Sequence, residues 1–197
     1  METLEKKITR GAEFIIKQTD CKDVFTPEDF TDEQKMMKEA VHDFAEKEIW
    51  SKKSEFEKHN YDLTFDVIKK AGELGFLGIG VPEEYGGLGM SFTSSMLVCD
   101  YISGSSGSTS TAYGAHTGIG TFPILLYGNE EQKKKYVPKL ASGEHIGAYC
   151  LTEPSAGSDA NNGITKAVLS EDKKYYLITG QKMWISNAGY AVNPIPQ

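Results

Sequence analysis

Two stretches hold most of the residues whose types and spacing could do chemistry. The first, Tyr149-Cys-Leu-Thr-Glu-Pro-Ser-Ala-Gly-Ser-Asp159, leaves an apolar run and enters a turn rich in hydroxyls and small residues. The second is Gly180-Gln-Lys-Met-Trp-Ile-Ser-Asn-Ala-Gly189. A turn needs Pro154, Gly157 and Asp159, but it does not need Thr152, Ser155 and Ser158 together. Those hydroxyls and the neighbouring amides can donate to the edge of a flat heteroaromatic ring and to a phosphate. Trp184 can cover such a ring, and the Ser186 hydroxyl can reach its edge. Two readings stand on these residues alone: a site for a planar cofactor, or two β-turns with Trp184 as a core aromatic.

Elsewhere the sequence is poor in reactive patterns. Gly78-Ile-Gly-Val-Pro-Glu83 begins like a dinucleotide fingerprint, but Glu83 replaces the last glycine and Pro82 sits where a helix should run. There is no GxxxxGK[ST] loop and no GxSxG elbow. His42, His59, His116 and His145 have no partner at metal-ligand spacing. His116, flanked by small and apolar residues, is read as a packed core histidine. Glu153 lies inside the first stretch, yet Pro154 and the turn after it give it a structural role.

The elements that must position these stretches are helical before residue 143 and β-patterned after it. Thr31 is an N-cap with Gln34 placed to reach back to it, and Val41, Phe44 and Ile49 continue an apolar stripe. A second helix is expected from about Thr64 to Leu74, closed by Gly75 in a left-handed conformation. Residues 75–89 are rich in Gly and Pro and should form tight turns. Ser91 opens a third helix. Residues 103–121 include fourteen Gly, Ser or Thr, a linker by composition. Tyr113, His116, Ile119 and Phe122 nevertheless recur at about three-residue intervals, and small residues let helices approach closely. Residues 122–144 predict two short helices joined at Gly128-Asn129. Then Ile146–Leu151, Thr165–Leu169, Tyr175–Ile178 and Met183–Ile185 are short β-branched or aromatic runs, the pattern of an antiparallel sheet. The expected class is α+β. An N-terminal arm spans 1–30, an all-helical domain 31–143, and an antiparallel β domain 144–197.

The chain has 197 residues, with 21 Lys and Arg against 28 Asp and Glu, a net charge of −7. That balance excludes a general nucleic-acid binder, which needs cationic surface. Its 39% hydrophobic content is that of a chain able to build a core. Cys21, Cys99 and Cys150 are odd in number and match no disulfide framework or zinc spacing. No secretory signal is visible at the start. Cytoplasmic placement is the expectation, or the mitochondrial matrix for a eukaryotic source.

The two stretches resemble the signature segments of the acyl-CoA dehydrogenase flavoproteins. The likeness extends upstream through VPEEYGGLG, AHTGIG and LLYGNEEQKKKYVPKLASGE, and covers nearly all of residues 11–191. The arm GAEFIIKQTDCKDVFTPEDFTDEQ is similar to the very-long-chain branch. The resemblance implies flavin adenine dinucleotide (FAD) between a β domain and a C-terminal helical domain. It implies α,β-dehydrogenation of a long-chain acyl-CoA to a trans-2-enoyl-CoA in fatty-acid β-oxidation, with electron-transfer flavoprotein as acceptor and a homo-oligomer at full length. Position by position, Tyr149, Leu151 and Thr152 would contact the isoalloxazine ring. Ser158 would lie by the pyrophosphate and the substrate's pantetheine arm. Trp184 and Ile185 would pack at the ring, and Ser186 would bond near N5. Family members are longer, so the resemblance implies a truncated antiparallel β domain, with the third domain and the family's glutamate base expected beyond the C-terminus, and this chain alone is expected to be inactive. Pro194 and Pro196 would interrupt the strand that usually follows Gly189-Tyr-Ala191. The alternative is a non-catalytic binding protein derived from a dehydrogenase by truncation.

Overall fold

The computed structural model describes residues 8, 9 and 11–191. The expectation about Pro194 and Pro196 lies outside the described residues. In the arm, a single turn α1 (Glu13–Ile16) leaves Phe14, Ile15 and Ile16 exposed.

Helix α2 (Asp32–Phe44) starts where the capping box requires: Thr31 Oγ1 accepts from the Gln34 amide and Gln34 Oε1 accepts from the Thr31 amide. The Gln34 side-chain amide also reaches Ser91 and Ser94 at the start of α5 (Phe92–Ser105), joining two helix starts. A π-helical turn, Ala45–Ile49, extends α2, and α3 (Lys53–Phe56) follows. Helix α4 (Tyr61–Glu73) begins a turn before the expected Thr64, because the Asn60 side chain caps it by accepting from the Leu63 amide. Gly75 closes it with φ +79°.

The Gly/Ser/Thr-rich stretch is helical, against its composition. It forms α6 (Gly107–Gly114) and a π-helical continuation, Ala115–Gly120. Thr109, Ala112, Tyr113 and His116 are buried there, so tertiary packing overrides weak helix propensity. Helices α7 (Phe122–Tyr127) and α8 (Glu130–Ala141) meet at Gly128-Asn129 as expected, and Asn129 forms a capping box with Gln132. The core lies among α2, α4, α5 and α6, around Val41, Ile49, Val67, Ile68, Val98 and Ile102. A smaller cluster, Val81, Tyr85, Val137 and Ala141, seats the 75–89 turns on α8, and the Tyr85 hydroxyl bonds Glu130 at 2.9 Å.

After residue 143 the α+β class holds, but the sheet is smaller than expected. Strands β1 (Lys166–Leu169) and β2 (Tyr176–Thr179) form one antiparallel hairpin, pairing Lys166 with Thr179 through Leu169 with Tyr176. The expected strands at Ile146–Leu151 and Met183–Ile185 are not formed, so 145–190 is not predominantly β. A strand exists only where a neighbouring edge supplies a ladder. Among the described residues no backbone bond joins these two runs, and the nearest goes from the Met183 N–H to the carbonyl of Thr152, just past the first, at 2.9 Å. The hairpin's own side chains are exposed on both faces.

Candidate functional site

That lone backbone bond brings the two candidate stretches side by side. A second tie comes from Lys182, whose ammonium donates to the Leu151 carbonyl at 3.0 Å and to Glu153 Oε1 at 2.8 Å. Glu153 is the one buried carboxylate among the described residues. The turn after it closes through paired backbone bonds between Glu153 and Ala156. Its oxygens also accept from the Ile164 amide at 2.7 Å and the Thr165 amide at 3.1 Å. The Lys182 bond first, then those from Thr165 and Ile164, hold its carboxyl down at about 2. Glu153 is therefore a fixed anion that fastens the first stretch, the entry to β1 and the second stretch together. The structural role expected of it is what its geometry shows.

The second stretch is fastened to the helices as well. Asn187 donates its side-chain amide to the Ala112 carbonyl in α6 at 2.9 Å and to the Gly147 carbonyl at 3.1 Å. Tyr190 stacks on Phe65 of α4, and its hydroxyl bonds Asp62. Gly147 is held from its other side, since its N–H donates to His116 Nδ1 at 2.8 Å. His116 Nε2 meets the Leu140 carbonyl at 2.9 Å. Because Nδ1 accepts, the proton must sit on Nε2, and that tautomer satisfies both backbone groups. His116 is fully buried and spends both nitrogens on the backbone, a packed histidine as its neighbours suggested. A Cβ at Gly120 would lie 2.9 Å from Gly147 backbone atoms, so only glycine lets the chain pass here.

Between these fastenings, the donors expected to meet a cofactor are free. Thr152 is half-buried, while Ser158 and Ser186 are exposed, and none of their hydroxyls is bonded among the described residues. Tyr149 and Leu151 are partly exposed, and Ile185 is half-buried. Trp184 is 82% exposed at φ +58°. It is therefore not a core aromatic. A left-handed backbone under a bulky ring costs about 1–2 kcal/mol, and Asn187 at φ +67° shares that conformation. The Met183–Thr152 and Lys182–Leu151 bonds set Leu151 and Thr152 beside the residues that immediately precede Trp184, Ile185 and Ser186. Ser158 lies beyond the 153–156 turn, and no hydrogen bond joins it to the second stretch. Lys182 and Asn187 were not singled out from sequence. The available signal was Asn187 before Ala-Gly, a residue that tolerates the left-handed region.

No helix among the described residues is long and apolar enough to cross a membrane, and no metal-ligating cluster occurs among them.

Comparison with known proteins gives this geometry a lineage. Residues 31–144 match the N-terminal domain of acyl-CoA dehydrogenases, and 148–194 match their middle domain. A probable acyl-CoA dehydrogenase of Bacillus subtilis is 48% identical over 93% of this chain and 31% of its own length. The very long-chain specific enzyme of Rattus norvegicus is 45% identical over 64% of this chain and 19% of its own. The crystal structure of an acyl-CoA dehydrogenase from Bacillus anthracis, complexed with FAD, superposes with TM-score 0.85 at 44% identity, over 93% of this chain and 31% of that one. The chain thus spans about a third of the length of its relative in B. subtilis. With one domain profile alone covering more than half of the residues, and the two fastened stretches falling inside the second, this chain belongs to the acyl-CoA dehydrogenase family.

Proposed function

We propose that this chain supplies the helical domain and part of the flavin-facing β domain of an FAD-dependent acyl-CoA dehydrogenase, with the boundary near residues 143–144. The observation that carries the reading is the pairing of unbonded hydroxyls at Thr152 and Ser186 with an exposed Trp184 on a strained backbone. Strain of this kind persists only where surrounding structure fixes it, and it gathers at ligand sites. Bound FAD would supply the hydride acceptor for α,β-dehydrogenation. Thr152 and Ser186 donate to the ring edge, and Trp184 covers its face. Tyr149, Leu151 and Ile185 line it, while Ser158 serves the pyrophosphate and the pantetheine arm. The substrate is a long-chain acyl-CoA, a reading supported by the likeness of the arm to the very-long-chain branch. Electrons leave to electron-transfer flavoprotein, and the complete enzyme is a homo-oligomer acting in β-oxidation. Glu153 does not take the Cα proton, because it is buried, ion-paired and committed to two backbone amides; the family likeness assigns that step to a glutamate outside this chain.

The test is FAD retention by the complete enzyme, wild type against Thr152→Val. The substitution keeps the shape and removes the hydroxyl, leaving a ring acceptor unpaired at about 1–3 kcal/mol, or roughly 5- to 150-fold weaker retention. Retention equal to wild type removes Thr152 from the site. The 197-residue chain alone, given FAD and a long-chain acyl-CoA anaerobically, is expected to leave the flavin unbleached. Bleaching would place a base within this chain.

A further inference from the structure

We infer that Asn162–Gly163 is a self-modifying site, at which the asparagine deamidates through attack by the following amide. Asn162 ends the short 3-10 turn Ala160–Asn162, and both Asn162 and Gly163 are exposed. The Asn162 side chain is bonded to nothing among the described residues. The Gly163 N–H, which should close the turn, makes no hydrogen bond of ordinary distance and angle with any of them. A nucleophilic nitrogen without a Cβ beside it and without a hydrogen-bond acceptor can approach the side-chain carbonyl of its neighbour.

The other described asparagines lack this combination. Asn60, Asn129 and Asn187 each commit their side chains to backbone groups, and the residues after them carry a Cβ. Asn161 is followed by Asn162, whose amide is already bonded to the Asp159 carbonyl. The distinction rests on both free partners occurring together, one on each side of a single peptide bond.

The step balances without oxidation or reduction. Solvent hydroxide removes the Gly163 amide proton, and the nitrogen bonds to Asn162 Cγ. The side-chain nitrogen leaves as ammonia, producing a five-membered imide. Water then opens either imide carbonyl, giving aspartate or isoaspartate. Isoaspartate routes the backbone through Cγ and adds a methylene just before Ile164 and Thr165, the residues whose amides hold Glu153. The segment runs close to that carboxylate: a Cβ on Gly163 would lie 3.0 Å from Glu153 Oε1. The product therefore brings a new negative charge and a longer backbone to the clamp that joins the two fastened stretches.

The experiment incubates the folded chain at mildly alkaline pH beside a free peptide of residues 158–168, with peptide mapping and enzymatic isoaspartate detection. Asn162 in the folded chain is expected to convert at a rate within about tenfold of the peptide's, since a locally exposed turn needs no global opening. Asn60, Asn129, Asn161 and Asn187 should stay intact, and Asn162→Gln should abolish the signal. Amide exchange at Ile164 and Thr165 should accelerate in the converted fraction. A folded-state rate more than about tenfold below the peptide's, or conversion at another asparagine first, overturns the proposal.

Discussion

Lowering the pH from 7 to 4.5 is expected to strip stability from this chain through one side chain, His116. The ring is buried and neutral, and desolvation holds its pKa down from 6.5 to about 4, against the weaker pull of the Leu140 carbonyl. The unfolded chain binds a proton near 6.5, whereas the folded chain resists doing so until about 4. Stability is therefore full above the unfolded value and drains as pH falls through that window. Integrated from pH 7 to 4.5, the loss is about 2 kcal/mol, large beside a total of roughly 5–15 kcal/mol for a typical domain. Protonation also converts Nδ1 from acceptor to donor, setting it against the Gly147 N–H. Urea midpoints at pH 7, 5.5 and 4.5 would be compared for wild type and His116→Gln. The variant should start lower at pH 7 by about 1–3 kcal/mol, because glutamine leaves one buried backbone group unpaired. It should then lose less on acidification. Parallel pH slopes for the two proteins would show that the ring is not the titrating group.

Gly87→Ala is expected to be as damaging, without any dependence on pH. An added Cβ would lie 2.1 Å from the Val81 carbonyl oxygen, 2.4 Å from Val81 Cβ and 2.6 Å from the Gly78 carbonyl oxygen. Two of these are backbone atoms, so the overlap is not relieved by a rotamer change. The turn must open, and with it the bonds from Leu88 N–H to Gly78 O and from Gly89 N–H to Val81 O. Tyr85 and Val81 would then leave their seat on α8. The cost should reach about 3 kcal/mol or more, at the upper end of overpacking effects. Thermal unfolding followed by circular dichroism measures it directly. Gly107→Ala is the control, because nothing lies within 4 Å of its added Cβ. A Gly87→Ala protein that melts with wild type would mean that the 75–89 turns are packed differently.

The signals that survived from sequence to structure were local ones. Thr31 with Gln34, the Gly128-Asn129 junction before α8, Ser91 before α5 and Gly75 after α4 fix helix ends through partners within a few residues, so their spacing alone announces them. The two candidate stretches were legible for a similar reason, since each packs its hydroxyls, turn residues and aromatic into one short run. Even the helix at 107–120, hidden under a linker-like composition, kept part of the expected period: Tyr113 and His116 are buried, whereas Ile119 is exposed.

What sequence did not reveal depends on partners far along the chain. Isolated β-branched runs at 146–151 and 183–185 carry strand propensity, but a strand needs a neighbour's ladder, and no local pattern states whether one is present. The partners of His116 at Leu140 and Gly147 lie 24 and 31 residues away, and Asn187 reaches back 75 residues to Ala112. Lys182 finds Leu151 and Glu153 in the same manner, 31 and 29 residues away. Burial is what turns these polar groups into fastenings, because an unpaired donor or acceptor away from water is costly. Sequence by itself determined the helix ends marked at Thr31, Ser91 and Gly75, the α+β class and the two stretches that hold the candidate site. Only the tertiary structure decided that Glu153 is held as an anion, that Trp184 faces outward on a left-handed backbone, and that both stretches hang from the helices through His116 and Asn187.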